Sequence, residues 1–491
     1  MAKKAEQKSF VGTLTAFIVI ALLVFIKELS IPLGDLDELW CYTMSRGISM
    51  GYLPYRDYDM VQMPFGAFVF SIPLLISRTL IMYRVASSLF LSLLFFLVYR
   101  IVRTETRHEY AVPAALIGIC IIDIVTYNTM MFFMVLLLYT FNKKAPSLKR
   151  NILLGIFAAC AALSRQTSGS LVIIAELIVV IMSSDRKEKK AVLKSIGAYI
   201  AGVFIPCLVF LCYLLATSSF YDFWDNCLFS LFGFGTKYNH FFATSIPLLI
   251  VTVIGIVADI SLYKKDKDIN RIYHLILSVP LILVAVPIVD LMHILFSGIW
   301  FLIPIFASLC KVADKYLTKR ILIILAGAVF VGGSVVSLSA IQECSFSDRY
   351  PELKYIPANP GLIELYGSLA DSNATLRAQG YNVDTISFSY VVVTVMEDRF
   401  DENIFIYDRS FTLVEPEHPE YYREDGTFST LAYAKGLCEK PDELIVISEN
   451  YYDEGWGTQS EAGVYEYISE HCEPVGRVAF YTYYKPISSQ D

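Results

Sequence analysis

Charge is scarce in this chain of 491 residues. Asp, Glu, Lys and Arg make up 18% of it, against 55% hydrophobic and 14% aromatic residues, and the mean hydropathy is +0.53. Soluble globular proteins carry about a quarter charged residues, so a water-soluble globule is excluded and a multispan membrane protein is expected. Metal-ligand spacing is lacking among the ten cysteines. Cys120, Cys160, Cys207 and Cys212 fall instead within apolar runs, where a thiol behaves as a small hydrophobe. The first apolar run, "FVGTLTAFIVIALLVFIKELSIPL", lacks a small-residue cleavage site and is too long for a removed signal peptide, so it reads as a retained span. After about Ala340 there are no further runs of spanning length.

Up to that point such runs recur. A bilayer core about 30 Å thick needs roughly 20 apolar residues per helix. Eleven spans are expected, at about 10–30, 80–102, 110–126, 128–142, 151–164, 169–184, 194–217, 243–263, 271–288, 291–310 and 321–341. The stretches 64–77 and 219–242 are too short or too mixed in polarity to cross, and read as interfacial or re-entrant. Composition then changes sign. Residues 346–491 hold 26 acids and 10 bases, a net charge of −16, which leaves +9 for residues 1–345. The chain therefore divides into a membrane domain, 1–345, with a first outer loop at 31–79, and an acidic domain, 346–491. In the latter, "DTISFSYVVVTV", "NIFIYD", "DELIVIS" and "VGRVAFYTYY" read as strands and "SEAGVYEYISEH" as a helix, which predicts a small α/β fold. Its loop "NYYDEGWGTQ" reads either as solvated surface or as a contact to an acceptor.

Loops retained in the cytoplasm are enriched in Lys and Arg. The clusters "AKKAEQK", "YRIVRTETR", "NKKAPSLKR", "DRKEKKAVLK", "KKDKDINR" and "KVADKYLTKR" all fall on one side of an eleven-span chain. That side is read as the cytoplasm, which puts residues 31–79 and the acidic domain outside the cell membrane. There Cys438 and Cys472 are candidates for a disulfide, if the geometry allows one.

The same side collects unusual polar groups. Asp35, Asp37 and Glu38 follow the first span, and Tyr127, Asn128, Arg165, Gln166, Asp290 and His293 stand in or beside later outer loops. Ionisable groups near membrane depth are costly and usually face a cavity with partners. Asp35 and Asp37 read either as caps of an interfacial helix, with Glu38 favouring its positive end, or as groups of a site. A carboxylate such as Asp37 can take a proton from an acceptor hydroxyl, while Arg84, Arg165 and His293 can balance the charge of a departing phosphate. Arg84 equally suits an ion pair, Arg165 a lipid headgroup, and His293 a structural pair with Asp290. Asp57 and Asp59 form a D-x-D, which reads as a chance pattern or as oxygen ligands for a divalent metal. No cofactor is expected otherwise. Tyr55 and the neighbouring aromatics suit a sugar or an isoprenoid. The "NAT" triplet at Asn373 is a glycosylation pattern in a suitable host only.

"DLDELW" after the first span, then "MGYLPYRDYDMVQMPFGAF", "MYRVASSLFLSLL", "TYN", "ALSRQTSG" and "PIVDLMHILFSGIWFLIP", resemble the bacterial GT-C glycosyltransferases. These are integral membrane relatives of the protein O-mannosyltransferases and the lipid A aminoarabinose transferases. The resemblance covers roughly residues 10–340. It implies a polytopic helical fold and transfer of a sugar from a polyprenyl phosphate to an envelope glycan, lipid or protein on the outer side, with Asp37 as base and Glu38 beside it. Alongside the resemblance, the chemistry of the residues keeps Arg84, Arg165 and His293 as candidates for the donor phosphate, and Asp35, Tyr55, Asp57, Asp59, Tyr127, Asn128, Gln166 and Asp290 as candidates for the substrates. "VQMPFGAF" departs from the family's "KPPL"-like segment, which leaves the acceptor open. The competing reading is a transporter or flippase of lipid-linked saccharides, for which internal repeats would be the signature. "DLDELW" and "PIVDLMHIL" are not repeated. No nucleic-acid partner is expected.

Overall fold

Inside a bilayer each backbone N–H and C=O must find its partner within the protein, which leaves an apolar run little choice but a helix. The structure, a computed structural model, describes residues 2–33, 36–58, 60–106, 108–122, 125–184, 188–229, 240–286, 288–289, 291–312, 327, 342, 344–386, 390–399, 429–448 and 463–487. For residues 2–11, 36, 108–110, 229, 240, 288, 291, 292, 312 and 390 it describes the backbone only.

The helices of the first 312 residues are α1 (Ala2–Ser30), α2 (Leu36–Met50), α3 (Phe65–Leu74), α4 (Leu80–Glu105), α5 (His108–Ile121), α6 (Tyr127–Asn142), α7 (Leu148–Ser164), α8 (Gln166–Ser183), α9 (Lys189–Ala216), the short α10 (Phe220–Phe223), α11 (Ile246–Asp266), α12 (Ile269–Ile282) and α13 (Leu291–Val312). Among the described residues six stretches are long and apolar enough to cross: Gly12–Ser30, Leu80–Glu105, Gln166–Ser183, Lys189–Ala216, Ala243–Asp266 and His293–Lys311. Expected spans one to ten each fall on a helix, several of them short, while the eleventh, 321–341, lies outside the described residues. The protein is a polytopic helical membrane protein with a small C-terminal sheet domain.

Burial sorts these helices. α4 and α13 are mostly enclosed, whereas α1, α9 and α11 leave Leu22, Ile26, Phe204, Val209, Val253 and Val257 exposed, as suits a lipid-facing rim. α7 and α9 meet where a side chain on either would not fit. A Cβ on Gly155 would stand 2.2 Å from the Tyr199 carbonyl oxygen, and one on Gly202 would stand 2.1 Å from that of Ile152.

The C-terminal part contains α14 (Pro360–Ala378), α15 (Tyr390–Met396), α16 (Thr430–Cys438) and α17 (Val464–His471). Two short strand pairs precede its sheet. In one, β1 (His240–Phe241) pairs parallel with β2 (Ile288–Val289); in the other, β3 (Ser345–Phe346) pairs antiparallel with β4 (Pro357–Ala358). The sheet itself has the order β5-β6-β8-β7, from β5 (Asn382–Ile386), β6 (Glu443–Ser448), β7 (Cys472–Val478) and β8 (Tyr481–Pro486). β5 and β6 are parallel, and the other two pairings are antiparallel.

The expected strand 384–395 is a strand only to Ile386; its "YVVVTVM" is helix α15. Val391, Val392, Val393, Val395 and Met396 are all buried, and a short run that is apolar on every face carries no period to separate strand from helix. "VGRVAFYTYY" is a hairpin rather than one strand, turning at Ala479 with φ 52°. "NIFIYD" and "NYYDEGWGTQ" lie outside the described residues. Asn373 of the "NAT" triplet is fully buried, where its amide donates to Glu397 at 2.9 Å and its carbonyl accepts from the Tyr483 hydroxyl at 2.7 Å.

The C-terminal part rests on α2. The Leu33 N–H donates to the Pro357 carbonyl at 2.7 Å, α15 packs along α2, and Trp40 touches both the main core and the core of the C-terminal sheet.

Candidate functional site

α2 starts with acids, and Asp37 and Glu38 in its first turn favour the positive end of the helix dipole. One residue apart, the two point into different surroundings. Glu38 is buried, whereas Asp37 is exposed and stands on the wall of a cavity of about 110 Å³. The other walls come from the loop after α2 (Met60, Gln62, Met63), from α3 (Gly66, Ala67, Phe70), from Tyr83 on α4, and from Val125, Thr126, Tyr127 and Met130 at the start of α6. The lining is mostly apolar, with four methionines (Met44, Met60, Met63 and Met130) and four aromatics (Trp40, Phe70, Tyr83 and Tyr127). Such a wall suits the face of a sugar or an isoprenoid, with few polar groups to fix orientation.

Arg84 on α4 grips Glu38 with both arms of its fork, Nε to Oε1 at 2.7 Å and Nη2 to Oε2 at 2.8 Å. Its Nη1 donates to the carbonyls of Glu28, at 3.5 Å, and Ile31. The arginine is 1% exposed, so its geometry ties α1, α2 and α4 together behind the cavity.

Arg165 breaks the line between α7 and α8. It is buried, donates to the Asn128 side-chain oxygen, to the Val284 carbonyl at 2.9 Å and to the Thr167 hydroxyl at 3.4 Å, and lies 5.6 Å from the centre of the Tyr127 ring. Tyr127 lines the cavity, so this cation stands one ring away from it. Gln166 donates to the carbonyls of Val61 at 2.8 Å and Cys227 at 3.4 Å, and so fastens the loop that carries Gln62 and Met63.

Tyr55 is buried with φ 67°, and its hydroxyl donates to the Gln62 carbonyl at 2.7 Å, a pin of the same loop. Burial raises its pKa well above the usual phenol value. Asp57 receives both arms of Arg56 at 2.7 Å and the Leu53 N–H at 2.7 Å. Hydrogen bonding from Arg56 holds its carboxyl below the ordinary carboxylate range. The other member of the D-x-D, Asp59, lies outside the described residues, as do Asp35 and Asp290. Among the described residues no group of three or more His, Cys, Asp and Glu side chains is placed to hold a metal. His293, half-buried, stands in the first turn of α13. The structure therefore brings Asp37 and Tyr127 into the wall of one cavity, holds Arg165 with Asn128 next to the Tyr127 ring, ties Gln166 and Tyr55 to the loop that carries Gln62 and Met63, and sets Asp57 apart on a surface turn.

Two arrangements have no counterpart in the sequence reading. Arg46, near the other end of α2, is fully buried and donates to Asp398 and to the Arg399 carbonyl at 3.0 Å, which clamps α2 to the C-terminal part. At the far end of α4, Glu105 takes the Tyr139 hydroxyl at 2.6 Å, Lys143 and Arg271. Arg271 also reaches Asp259 at 3.5 Å, and Asp259 meets His274 Nδ1 at 2.5 Å. His274 stacks on Trp300 at 4.2 Å. Charge patterning showed Lys143 and Arg271 only as members of basic clusters. The partners that bury them lie on other helices, beyond the reach of a local pattern.

No protein-family model matches the chain, and no curated protein matches it. Solved structures do. The crystal structure of ArnT from Cupriavidus metallidurans bound to undecaprenyl phosphate is similar with a TM-score of 0.51 at 12% identity, over 97% of this chain and 98% of that one. ArnT from the same organism in the apo state is similar with a TM-score of 0.50 at 11% identity, over 98% and 99%. The oligosaccharyltransferase from Archaeoglobus fulgidus, in complex with Zn and sulfate, matches at 12% identity over 96% and 73%, with a TM-score of 0.47. Over its helical membrane part and C-terminal domain together, the chain thus shares the fold of these two ArnT structures, as the sequence resemblance implies.

Proposed function

We propose that the chain is a glycosyltransferase that moves one sugar from a polyprenyl phosphate to an acceptor of the cell envelope, on the side of the membrane that its basic clusters avoid. The observation that carries this reading is Asp37, an exposed carboxylate on the wall of a mostly apolar cavity built from the segments that follow α1, α2 and α5. The neighbour of like fold that binds undecaprenyl phosphate supports the choice of donor class.

In the proposed reaction Asp37 accepts the proton of an acceptor hydroxyl as its oxygen bonds to the anomeric carbon. The bond from that carbon to the phosphate oxygen breaks, and the polyprenyl phosphate leaves with both electrons. Its negative charge is then balanced by Arg165, and by His293 when protonated, so no second acid is needed to protonate it. Asn128 holds the Arg165 guanidinium, and Tyr127 covers it on the cavity side. Glu38 and Arg84 neutralise each other, and their role is to fix the first turn of α2 and with it the direction of Asp37. The tight turn at Arg56–Asp57 gives that pair a structural role in this scheme.

The test is a transfer assay with purified full-length protein, polyprenyl-phosphate sugars and envelope fractions as acceptor. The parent should release polyprenyl phosphate and Asp37→Asn should not, while both bind donor. A parent that consumes no polyprenyl-phosphate sugar, but moves a lipid-linked saccharide across vesicles, would replace the enzyme with a transporter.

A further inference from the structure

The C-terminal domain contains two cysteines that sequence separates and the fold brings together. Cys438 is the last residue of α16, and Cys472 is the first of β7 and the residue that closes α17. Their sulfurs are 3.2 Å apart. Neither backbone is loose at this point. Cys472 is paired with Pro486 on β8, and its N–H closes α17 on the Ile468 carbonyl. Cys438 sits in the last turn of α16, whose Tyr433, Ala434 and Leu437 are buried against Ile468 and Val464 of α17. The two thiols are therefore held in contact by a packed helix pair and a paired strand, rather than by chance approach of side chains.

We infer that Cys438 and Cys472 form a disulfide in the mature protein, one that closes the unit β6–α17 into a ring at the edge of the C-terminal sheet. A disulfide requires its two Cβ atoms close and both side chains directed at each other, and the contact between the sulfurs already meets the second condition. A metal is a poorer account of the pair, because among the described residues no third or fourth ligand is grouped with it. A plain buried thiol pair is the remaining alternative, and it belongs to a reducing compartment. The inference thus rests on the acidic domain facing an oxidising one, as its position opposite the basic clusters implies.

The chemistry is asymmetric. The hydrogen bond from Cys472 lowers the pKa of Cys438 below the ordinary thiol value, while the same contact, together with burial, raises that of Cys472. Cys438 is also the more exposed of the two, so it is the sulfur that reacts first. Its thiolate attacks a disulfide of an external thiol oxidant, a mixed disulfide forms, and one oxidant thiol leaves. Cys472 then loses its proton and attacks the Cys438 sulfur, which releases the second oxidant thiol. Two electrons pass from the cysteine pair to the oxidant's disulfide, and the two thiol protons end on its reduced sulfurs.

Full-length protein is isolated without reductant, with free thiols capped by N-ethylmaleimide at lysis, and its proteolytic peptides are weighed before and after reduction. The expected result is one peptide pair joined through Cys438 and Cys472 that separates on reduction. Both residues found capped would overturn the disulfide. In a second arm the reduced, purified protein meets oxidised glutathione. Closure should release two glutathione thiols per chain, whereas a persistent glutathione adduct on Cys438 would overturn the geometry. Dithiothreitol should lower the unfolding temperature of the domain by roughly 5–10 °C in the parent and leave Cys438→Ala/Cys472→Ala unmoved. An equal shift in that double variant would show that the reductant acts elsewhere.

Discussion

The two ends of α4 both carry buried charge, and they treat it differently. At the Glu105 end, Glu105, Lys143, Arg271, Asp259 and His274 form a chain in which each acid meets a base or ring on another helix. At the Arg84 end, Arg84 and Glu38 close on each other in the same manner, but the adjacent Asp37 is exposed at a cavity. Twenty-one residues at about 1.5 Å each separate Arg84 from Glu105, roughly the thickness of a bilayer core. A buried charge answered by a partner holds helices in register, since removing either member strands the other in low dielectric. A carboxylate exposed on the wall of a cavity stands where a substrate could reach it.

The largest effects should cross over between the two ends. Arg271→Met leaves Glu105 and Asp259 buried with fewer partners, and should cost about 3–5 kcal/mol of stability, read as a loss of folded protein in detergent. Asp37→Asn should leave the unfolding temperature almost unchanged, yet reduce turnover about 10² to 10⁴-fold at near-normal donor affinity. If Asp37→Asn unfolds the protein instead, or transfers sugar at the parental rate, the two ends are alike and the contrast fails.

The next effect tests whether Glu38 belongs with the scaffold. Breaking a bidentate buried pair on one side should be costly, so Glu38→Gln and Arg84→Met should each destabilise by about 2–4 kcal/mol, with the double variant recovering about 1–3 kcal/mol of the sum. A thermal or urea double-mutant cycle measures this. Additive losses would mean that the two residues do not act as one clamp, and Glu38 would then return to the catalytic group beside Asp37.

Much of the scaffold was legible because spans and basic flanks are local patterns. Spans such as 80–102 and 194–217 are continuous apolar runs, and each became a single helix, α4 and α9. The place of Asp37 after the first span marked it in the sequence, and the structure sets it on the wall of a cavity. What could not be read was pairing at a distance. Glu38 and Arg84 are 46 residues apart, and Arg46 and Asp398 are 352 apart, so no window of sequence contains both partners. Side chains read as candidates for substrate, such as Tyr55 and Gln166, donate instead to backbone carbonyls of the loop at residues 61–62. A sequence gives their polarity but not the direction in which it points.

Gln166 sharpens the comparison at lower magnitude. Its amide holds the Val61 and Cys227 carbonyls, and Gln166→Ala should cost about 1 kcal/mol of stability. Because that loop also forms a cavity wall, the Michaelis constant for donor should rise several-fold while turnover changes less. A fall in turnover with unchanged Michaelis constant would place Gln166 at the reacting atoms instead of behind the wall.

The smallest effect belongs to Asp57, the acid that most resembles Asp37 in sequence and least in surroundings. Arg56 and the Leu53 N–H already hold its carboxylate, and its pKa is lowered chiefly by the bond to Arg56. A depressed carboxyl pKa stabilises the folded state above the unfolded value, about 3.9, and that contribution is lost as pH falls through the lower, folded value. Between pH 5 and 8 the carboxylate is ionised in both states, so its contribution should be flat. Asp57→Asn should therefore leave the unfolding temperature without a measurable change at pH 7, since Arg56 is exposed and salt screens the pair. Asparagine can still accept from the Leu53 N–H, so the turn should persist. Amide exchange across residues 51–58 at pH 7 checks the local structure, and the same measurement near pH 3 should show the parent turn loosening toward the variant. Transfer activity decides the rest. If Asp57→Asn loses as much turnover as Asp37→Asn while its turn stays protected, then Asp57 takes part in the chemistry, through a metal or directly, and exposure at the cavity no longer distinguishes the one acid from the other.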